Sequence, residues 1–167
     1  MKKETGISVL LFVLCAVTTL LNPNFISPVN LTNTANQIGM YGIFSLGLGL
    51  VIITGGIDLS VGSMIALCGV LLSMALTEWH WPWTLAAAAA VLLPMLLGWI
   101  HGALITRMKI QPFIITLCGL LIYRGLARFI AHDDTKGFGA AEGFEFFRNA
   151  AKGKWLGLPM PFVLLII

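Results

Sequence analysis

The sequence predicts an all-α fold, a polytopic helical membrane protein with five complete spans and the start of a sixth. Three observations predict it: an apolar composition, a succession of apolar segments of spanning length, and an uneven distribution of basic residues between them. Of the 167 residues, 58% are hydrophobic and only 10% are charged, and the mean hydropathy is +0.94. A soluble domain carries roughly 25% charged residues, so lipid must be the solvent of this chain.

Composition also argues against several functional classes. The net charge of +3 is small, and the basic residues form no stripe interleaved with aromatics, which disfavours nucleic-acid binding. The cysteines Cys15, Cys68 and Cys118 lie far apart inside apolar runs. Because they have no paired spacing, we interpret them as reduced packing residues and expect no metal site.

Apolar segments of spanning length follow one another along the chain. A bilayer core about 30 Å thick requires roughly 20 helical residues. Five segments approach this length and a sixth begins at Leu158; the five are residues 6–21, 38–54, 57–76, 83–105 and 112–130. The basic start Met1-Lys2-Lys3 resembles a signal peptide, but no small-x-small cleavage site follows, so we expect an uncleaved first span.

Residues 38–76 must turn back on themselves. A single helix over this range would extend on the order of 58 Å at about 1.5 Å per residue, nearly twice the hydrocarbon thickness. Two adjacent glycines, Gly55 and Gly56, permit backbone angles that other residues avoid. The sequence therefore predicts a break there, between the second and third spans.

The basic residues predict an orientation. Lys2 and Lys3 precede the first span and Arg107 and Lys109 follow the fourth, whereas the connections at 22–37 and 77–82 contain no Lys or Arg. By the positive-inside rule, the N-terminus and residues 106–111 are cytoplasmic and residues 131–157 lie outside. A re-entrant fifth segment is the alternative, and it would put residues 131–157 in the cytoplasm.

Small residues four positions apart predict close helix contacts. Such pairs occur in the second, third and fourth spans: Ser45/Gly49, Gly62/Ala66, Gly69/Ser73 and Gly98/Gly102. Such pairs let helix backbones approach each other in a membrane. We therefore interpret Gly62, Gly98 and Gly102 as helix-packing residues and expect the second, third and fourth spans to pack together.

The stretch from Ile53 to Gly62 is the most informative for function, because it sets an ionisable side chain, Asp58, and a hydroxyl, Ser60, beside the glycine break. A charge at membrane depth costs free energy, so the presence of Asp58 needs an explanation. Asp58 could cap the third span by accepting hydrogen bonds from free N–H groups at the helix start. It could also line a polar pathway, as discontinuous helices do in transporters. Both explanations can hold together.

Two runs of residues carry a resemblance to a known family. Gly-Gly-Ile-Asp-Leu-Ser-Val-Gly-Ser at 55–63 is similar to the signature of bacterial ABC sugar permeases of the ribose, xylose and galactose type. Residues 102–117, with Pro-Phe-Ile-Ile-Thr-Leu at their end, and Arg-Gly-Leu-Ala at 124–127 resemble further motifs of the same family. The resemblance covers about residues 38–130.

The chain departs from this family in two respects. His101 stands where the family usually has Asn; a neutral imidazole can form similar hydrogen bonds, and we expect a packed, hydrogen-bonded histidine. The chain is also about half as long as family members. We therefore expect a truncated permease, the N-terminal part, without the region that contacts the ATPase.

The resemblance implies a single transmembrane permease domain over residues 1–167 and a function in transport. The chain would be the permease subunit of an ATP-driven importer that moves a monosaccharide across the bacterial inner membrane, with no catalytic residues of its own. Its partners would be a cytoplasmic ATP-binding subunit, a periplasmic sugar-binding protein and a second permease subunit in a homodimer. No phosphate-binding loop occurs in the sequence, so ATP would bind to the partner subunit and this chain would hold no cofactor. The candidate pathway residues are Gly55, Gly56, Asp58, Ser60 and Arg124.

Other interpretations remain open. An ion-coupled secondary transporter would use intramembrane carboxylates or histidines, for which only Asp58 and His101 are candidates. A non-transporting truncated remnant is a third possibility. Arg124 and Arg128 lie one helical turn apart, either extending toward the outer headgroups or facing inward toward sugar hydroxyls or Asp58.

Overall fold

The computed structural model describes residues 3–139, 143–155 and 157–167, and these are largely helical. A short 3₁₀ helix, Pro23–Ile26, connects the first two α-helices. The two strands pair antiparallel, with Lys154 opposite Pro159. The elements are α1 Lys3–Leu21, α2 Pro28–Ile53, α3 Val61–Thr77, α4 Trp83–Arg107, α5 Pro112–Ala131, α6 Glu145–Lys152, β1 Lys154–Trp155, β2 Leu158–Pro159 and α7 Met160–Ile166.

Four of these helices are long and apolar enough to cross a membrane: Glu4–Leu21, Pro28–Ile53, Trp83–Arg107 and Pro112–Ala131. The third predicted span, 57–76, is shorter than expected, because the helix begins only at Val61. With 17 residues, α3 extends about 26 Å at about 1.5 Å per residue, slightly less than the bilayer core. The helical class is confirmed, while the count of five complete spans is not.

The apolar surface of the helices agrees with a lipid environment. Phe12 on α1 is 75% exposed, Leu121 and Phe129 on α5 are 63% and 77% exposed, and many other large apolar side chains are similarly open. Large contiguous apolar surface is rare on soluble monomers. Hydrocarbon chains would solvate this surface in a membrane.

Contacts divide the chain into two compact units, one of Met1–Ser45 with Asn149–Ile167 and the other of Leu46–Arg148. In the first unit, α7 approaches α2 at two glycines. A Cβ atom on Gly39 would collide with the backbone of Pro161 and Phe162, and one on Gly42 with the side chain of Leu165. A single permease domain over residues 1–167 stays a prediction.

In the second unit, α3 packs against α4 and α5. One buried cluster joins Leu67 of α3 to Tyr123 and Ala127 of α5. We expected the second span to pack with the third and fourth, whereas the packed group in this unit is α3, α4 and α5. The difference arises because the buried face of α5 combines small and polar residues that let α3 approach closely.

Lys136, Phe138 and Phe144 lie against the connection between α3 and α4 and the helix ends beside it. Lys136 Nζ is 2.7 Å from Glu78 Oε1, and Phe144 is buried in a cluster with Ala75, Leu76 and Ala86. The connection at 78–82 and the residues Lys136 and Phe144 are therefore at one end of this unit, while the α4–α5 connection at 108–111 is at the other. The helix α5 runs from one end to the other; whether it crosses the membrane completely, and the side on which residues 131–157 lie, stay predictions.

This arrangement predicts a labelling pattern. In a variant without the native cysteines, Glu78→Cys and Thr135→Cys should react with an impermeant thiol reagent from the same side of a sealed membrane, because Lys136, next to Thr135, pairs with Glu78. Lys109→Cys should react only from the opposite side. Mass spectrometry after one-sided labelling measures both, and labelling of residues 78 and 135 from different sides would contradict the fold.

Candidate functional site

The break after α2 has the hydrogen bonds of a Schellman motif. Gly55 adopts a left-handed conformation, with φ of +77°. Its N–H donates to the carbonyl of Ile52 at 2.9 Å, and the N–H of Gly56 donates to the carbonyl of Val51 at 3.0 Å. These two bonds satisfy carbonyls that the end of a helix leaves free. The predicted break is confirmed, and Gly55 is the residue whose positive φ requires glycine.

Asp58 and Ser60 form a tight turn just before α3. Asp58 Oδ1 accepts hydrogen bonds from the Ser60 N–H at 2.8 Å and from Ser60 Oγ at 2.6 Å. Ser60 is the N-cap residue of α3, and its own side chain makes no capping bond. Asp58 thus bonds to the residue at the helix start rather than to N–H groups of the first helical turn. Its negative charge still lies near the positive end of the α3 dipole.

A threonine of α5 holds the broken segment. Thr116 Oγ1 lies 3.1 Å from the carbonyl oxygen of Ile57 and 2.9 Å from that of Pro112. A hydroxyl has one hydrogen to donate, so it is shared between a carbonyl of its own helix and one of the segment 54–60. This bond joins two parts of the chain 59 residues apart.

A glycine of α5 gives the segment room to approach. A Cβ atom on Gly119 would lie 2.6 Å from His101 Cε1 and 3.2 Å from Ser60 Cβ. Ser60 is completely buried. Gly119 is seven residues into α5, which corresponds to about 10 Å from the helix start at about 1.5 Å per residue. Ser60 is therefore buried between helices well inside the end of the unit, while Asp58 beside it is half-buried.

His101 of α4 is paired with Tyr123 of α5. Tyr123 Oη is 2.8 Å from His101 Nε2, and the two rings stack with centroids 5.5 Å apart and planes at 19°. Both side chains are buried, at 8% and 6% exposure. His101 is packed and hydrogen-bonded, as the sequence predicted, and its ring fills the space that Gly119 leaves.

The predicted pathway residues divide into two groups. Gly55, Gly56, Asp58 and Ser60 lie together in the broken segment. Arg124 is exposed on α5. Among the described residues, it forms no hydrogen bond or ion pair with Asp58. Its neighbour one turn on, Arg128, pairs with Asp133 at 2.6 Å on the exposed surface. A pathway role for these residues stays a prediction.

The predicted packing glycines are open in this structure. A Cβ atom on Gly62, Gly98 or Gly102 would meet no atom within 4 Å. The close approaches use Gly119, Gly39 and Gly42 instead. A packing role for Gly62, Gly98 and Gly102 stays a prediction that these contacts do not test.

Sequence reasoning missed Thr116, Gly119 and Tyr123, although a signal was present. These residues, followed by Ala127 and Ala131, are the buried positions of α5. They recur every three to four residues, as one face of a helix does. Two hydroxyl-bearing side chains with a glycine between them, on one face of an apolar helix, would have identified the face that meets the broken segment.

Comparisons with known proteins agree with this fold and with the resemblance. Residues 30–155 match the family model described as "Branched-chain amino acid transport system / permease component". The ribose import permease protein RbsC of Bacillus subtilis is 35% identical over 158 residues, which is 94% of this chain and 48% of that protein. The resemblance to sugar permeases that the sequence predicted is thereby confirmed.

Two further relatives have other substrates in their names. The autoinducer 2 import system permease protein LsrD of Klebsiella pneumoniae is 37% identical over 154 residues, covering 88% of this chain and 45% of that protein. The fructose import permease protein FruF of Bifidobacterium longum is 36% identical over 127 residues, covering 76% and 35%. The chain spans about half the length of the ribose import permeases it matches. No solved structure matches the chain.

Adding one methyl group to Gly119 should destabilise the helix packing. Gly119→Ala brings a carbon into contact with His101 and Ser60, and overpacking typically costs about 1–3 kcal/mol. The matched control is Gly125→Ala on the same helix, where a Cβ atom meets nothing within 4 Å and alanine should stabilise the helix by up to about 1 kcal/mol. Thermal unfolding in detergent should move in opposite directions for the two variants. Equal midpoints would show that Gly119 is not a contact point.

Proposed function

Because the chain belongs to the family of permease components of branched-chain amino acid transport systems, we propose that it is a membrane-spanning permease subunit of an ATP-driven importer. Its substrate is a monosaccharide and its location is the bacterial inner membrane. The observation that carries the proposal is the broken segment 54–60, which holds the Asp58 carboxylate between packed helices. Irregular backbone at membrane depth is tolerated where it is buried in protein or lines a cavity.

Asp58 has the chemistry that a sugar pathway requires. Its Oδ1 atom accepts both bonds from Ser60, and within the described residues Oδ2 has no recorded partner. A free carboxylate oxygen accepts strong, charge-assisted hydrogen bonds from hydroxyl groups. We assign Gly55 and Gly56 to the turn, Asp58 to the wall of the pathway with the buried Ser60 bonded behind it, and the exposed Arg124 to a second polar contact.

The membrane arrangement in this proposal has five complete crossings and the start of a sixth. The helix α3 makes the third crossing although it is short, because residues 54–60 add length at one end, and α7 begins the sixth. The N-terminus and residues 108–111 face the cytoplasm, as the basic residues Lys2, Lys3, Arg107 and Lys109 favour. All of these elements form one permease domain.

The partners follow from the proposed function. A cytoplasmic ATP-binding subunit supplies the energy, since the sequence has no phosphate-binding loop of its own. A periplasmic sugar-binding protein delivers the substrate, and a second permease subunit completes the pathway as a homodimer. The open faces at Gly62, Gly98 and Gly102, where small residues allow helices to approach, are suited to contact with further membrane helices.

An ion-coupled mechanism is less well supported. It would need titratable groups that exchange protons with a pathway. The sequence offers two intramembrane candidates, Asp58 and His101. His101 is buried with its Nε2 atom bonded to Tyr123, so Asp58 is the remaining candidate.

The proposal is tested by sugar uptake into proteoliposomes that contain the permease carrying this sequence, its ATP-binding subunit and its binding protein. Uptake of D-ribose should require ATP and persist when the proton gradient is collapsed. Asp58→Asn should lower uptake about tenfold, a change of about 1.4 kcal/mol, because the amide keeps the turn with Ser60 but loses the charge.

The matched control is Asp134→Asn, which neutralises an exposed acid outside the helices and should leave uptake unchanged. Uptake driven by a proton gradient without ATP would overturn the importer proposal. Normal ATP-driven uptake by Asp58→Asn would instead agree with the importer proposal and contradict the role of Asp58 in the pathway.

A further inference from the structure

A second polar site lies in the first unit, where α1 connects to α2. A hollow of about 290 Å³ opens there, lined by Asn22, Asn24, Phe25, Ser27, Asn30 and Asn33 among others. Its volume is near the lower end of the roughly 300–1,000 Å³ typical of small-molecule sites. The residues that carry the break and its contacts belong to the other unit, and none of them lines this hollow.

The chemistry of the hollow is polar but uncharged. Residues 22–37 include five asparagines and contain no Asp, Glu, Lys, Arg or His. Charged groups are the usual polar residues of an exposed protein surface, so a purely neutral polar segment is unusual. Each asparagine amide offers two donors and one acceptor oxygen. This combination suits hydroxyl groups, which both donate and accept, and offers no cation to an anionic ligand.

Hydrogen bonds within the connection fix its shape before any ligand binds. Asn22 Oδ1 accepts from the Asn24 N–H at 3.1 Å, and Asn30 Nδ2 donates to the Phe25 carbonyl at 2.7 Å. The side chains of Asn24 and Asn33 have no recorded partner within the described residues. Asn22 and Asn30 therefore fix the shape of the connection. The side chains of Asn24 and Asn33 can bond to a ligand without breaking an existing hydrogen bond. A preformed frame lowers the entropic cost of binding.

The length of α2 brings this hollow to the membrane surface. Its 26 residues extend about 39 Å at about 1.5 Å per residue, roughly 9 Å more than the hydrocarbon core. The polar first turns of α2 account for this excess. The hollow thus lies in the wet interfacial layer at the end of α2 opposite Ile53, on the side from which the proposed importer takes its substrate.

We propose that the hollow is a weak binding site for a neutral sugar, in which Asn24 and Asn33 contact adjacent hydroxyl groups and Phe25 contributes an apolar wall. The proposal deepens the proposed function, on which the assignment of sugar as the ligand rests. Adjacent hydroxyls are also found in the glycerol headgroup of phosphatidylglycerol. The site recognises this shared chemistry, and the experiment separates the two sources.

Saturation-transfer difference NMR measures such weak binding directly. The full chain is placed in nanodiscs of phosphatidylcholine, which has no free hydroxyls, and D-ribose is titrated as the probe. The double variant Asn24→Ala/Asn33→Ala should weaken ribose binding about 25-fold, since each lost hydrogen bond accounts for about fivefold. Gln37→Ala removes an exposed amide at the same end of α2 that does not line the hollow and should bind ribose like the parent.

The outcomes are separable from those of the transport assay, because this binding needs no ATPase. Absence of ribose saturation transfer in the parent, or equal binding by the double variant and the parent, would overturn the proposal. Ribose binding that disappears in nanodiscs of phosphatidylglycerol would identify the lipid headgroup as the occupant and overturn the assignment to sugar. Normal ribose binding in nanodiscs together with failed ribose uptake into proteoliposomes would support the sugar site and overturn the importer proposal.

Discussion

Hydrogen bonding of an interrupted backbone is the constraint on which the second unit depends. Residues 54–60 leave the helix, and at membrane depth hydrocarbon would offer no water to pair with their free N–H and C=O groups. Several of these groups are paired: the N–H groups of Gly55 and Gly56 donate to α2, the Ser60 N–H donates to Asp58, and the Ile57 carbonyl lies within hydrogen-bond distance of the Thr116 hydroxyl. Each bond has a modest net value in water, but leaving such a group unpaired in an apolar medium costs several times more.

Close packing turns these bonds into a fixed junction of three helices. Gly119 lets Ser60 and His101 meet on the surface of α5, and the Tyr123 hydroxyl occupies the polar edge of the histidine ring. The result is a half-buried carboxylate, Asp58, bonded to the fully buried Ser60, with few ways to move independently of α3, α4 and α5. In the proposed transporter, relative movement of these helices would move Asp58 with them, which is how a rigid turn can take part in gating.

The sequence predicted the helical class, the apolar segments, the break at Gly55 and the packed state of His101, because hydropathy and glycine conformations act locally. It did not predict that α3 begins at Val61, since the length of the broken segment is set by Thr116 and Gly119 on a helix more than fifty residues away. It also did not identify Gly119 as the glycine at which Ser60 and His101 approach α5; the packing role of Gly62, Gly98 and Gly102 stays a prediction. Spacing identifies which residues share a helix face, but only tertiary contacts decide which face is used.

Hydrogen–deuterium exchange of the segment 57–61 tests the central claim most directly. If Thr116 holds the broken backbone, Thr116→Val should raise exchange of the Ser60 amide about fivefold, the effect of one lost hydrogen bond, and leave residues 67–76 of α3 unchanged. Thr106→Val, which removes a hydroxyl bonded only to its own helix at Gly102, should change neither. Equal exchange of the segment in the parent and in Thr116→Val would contradict the account.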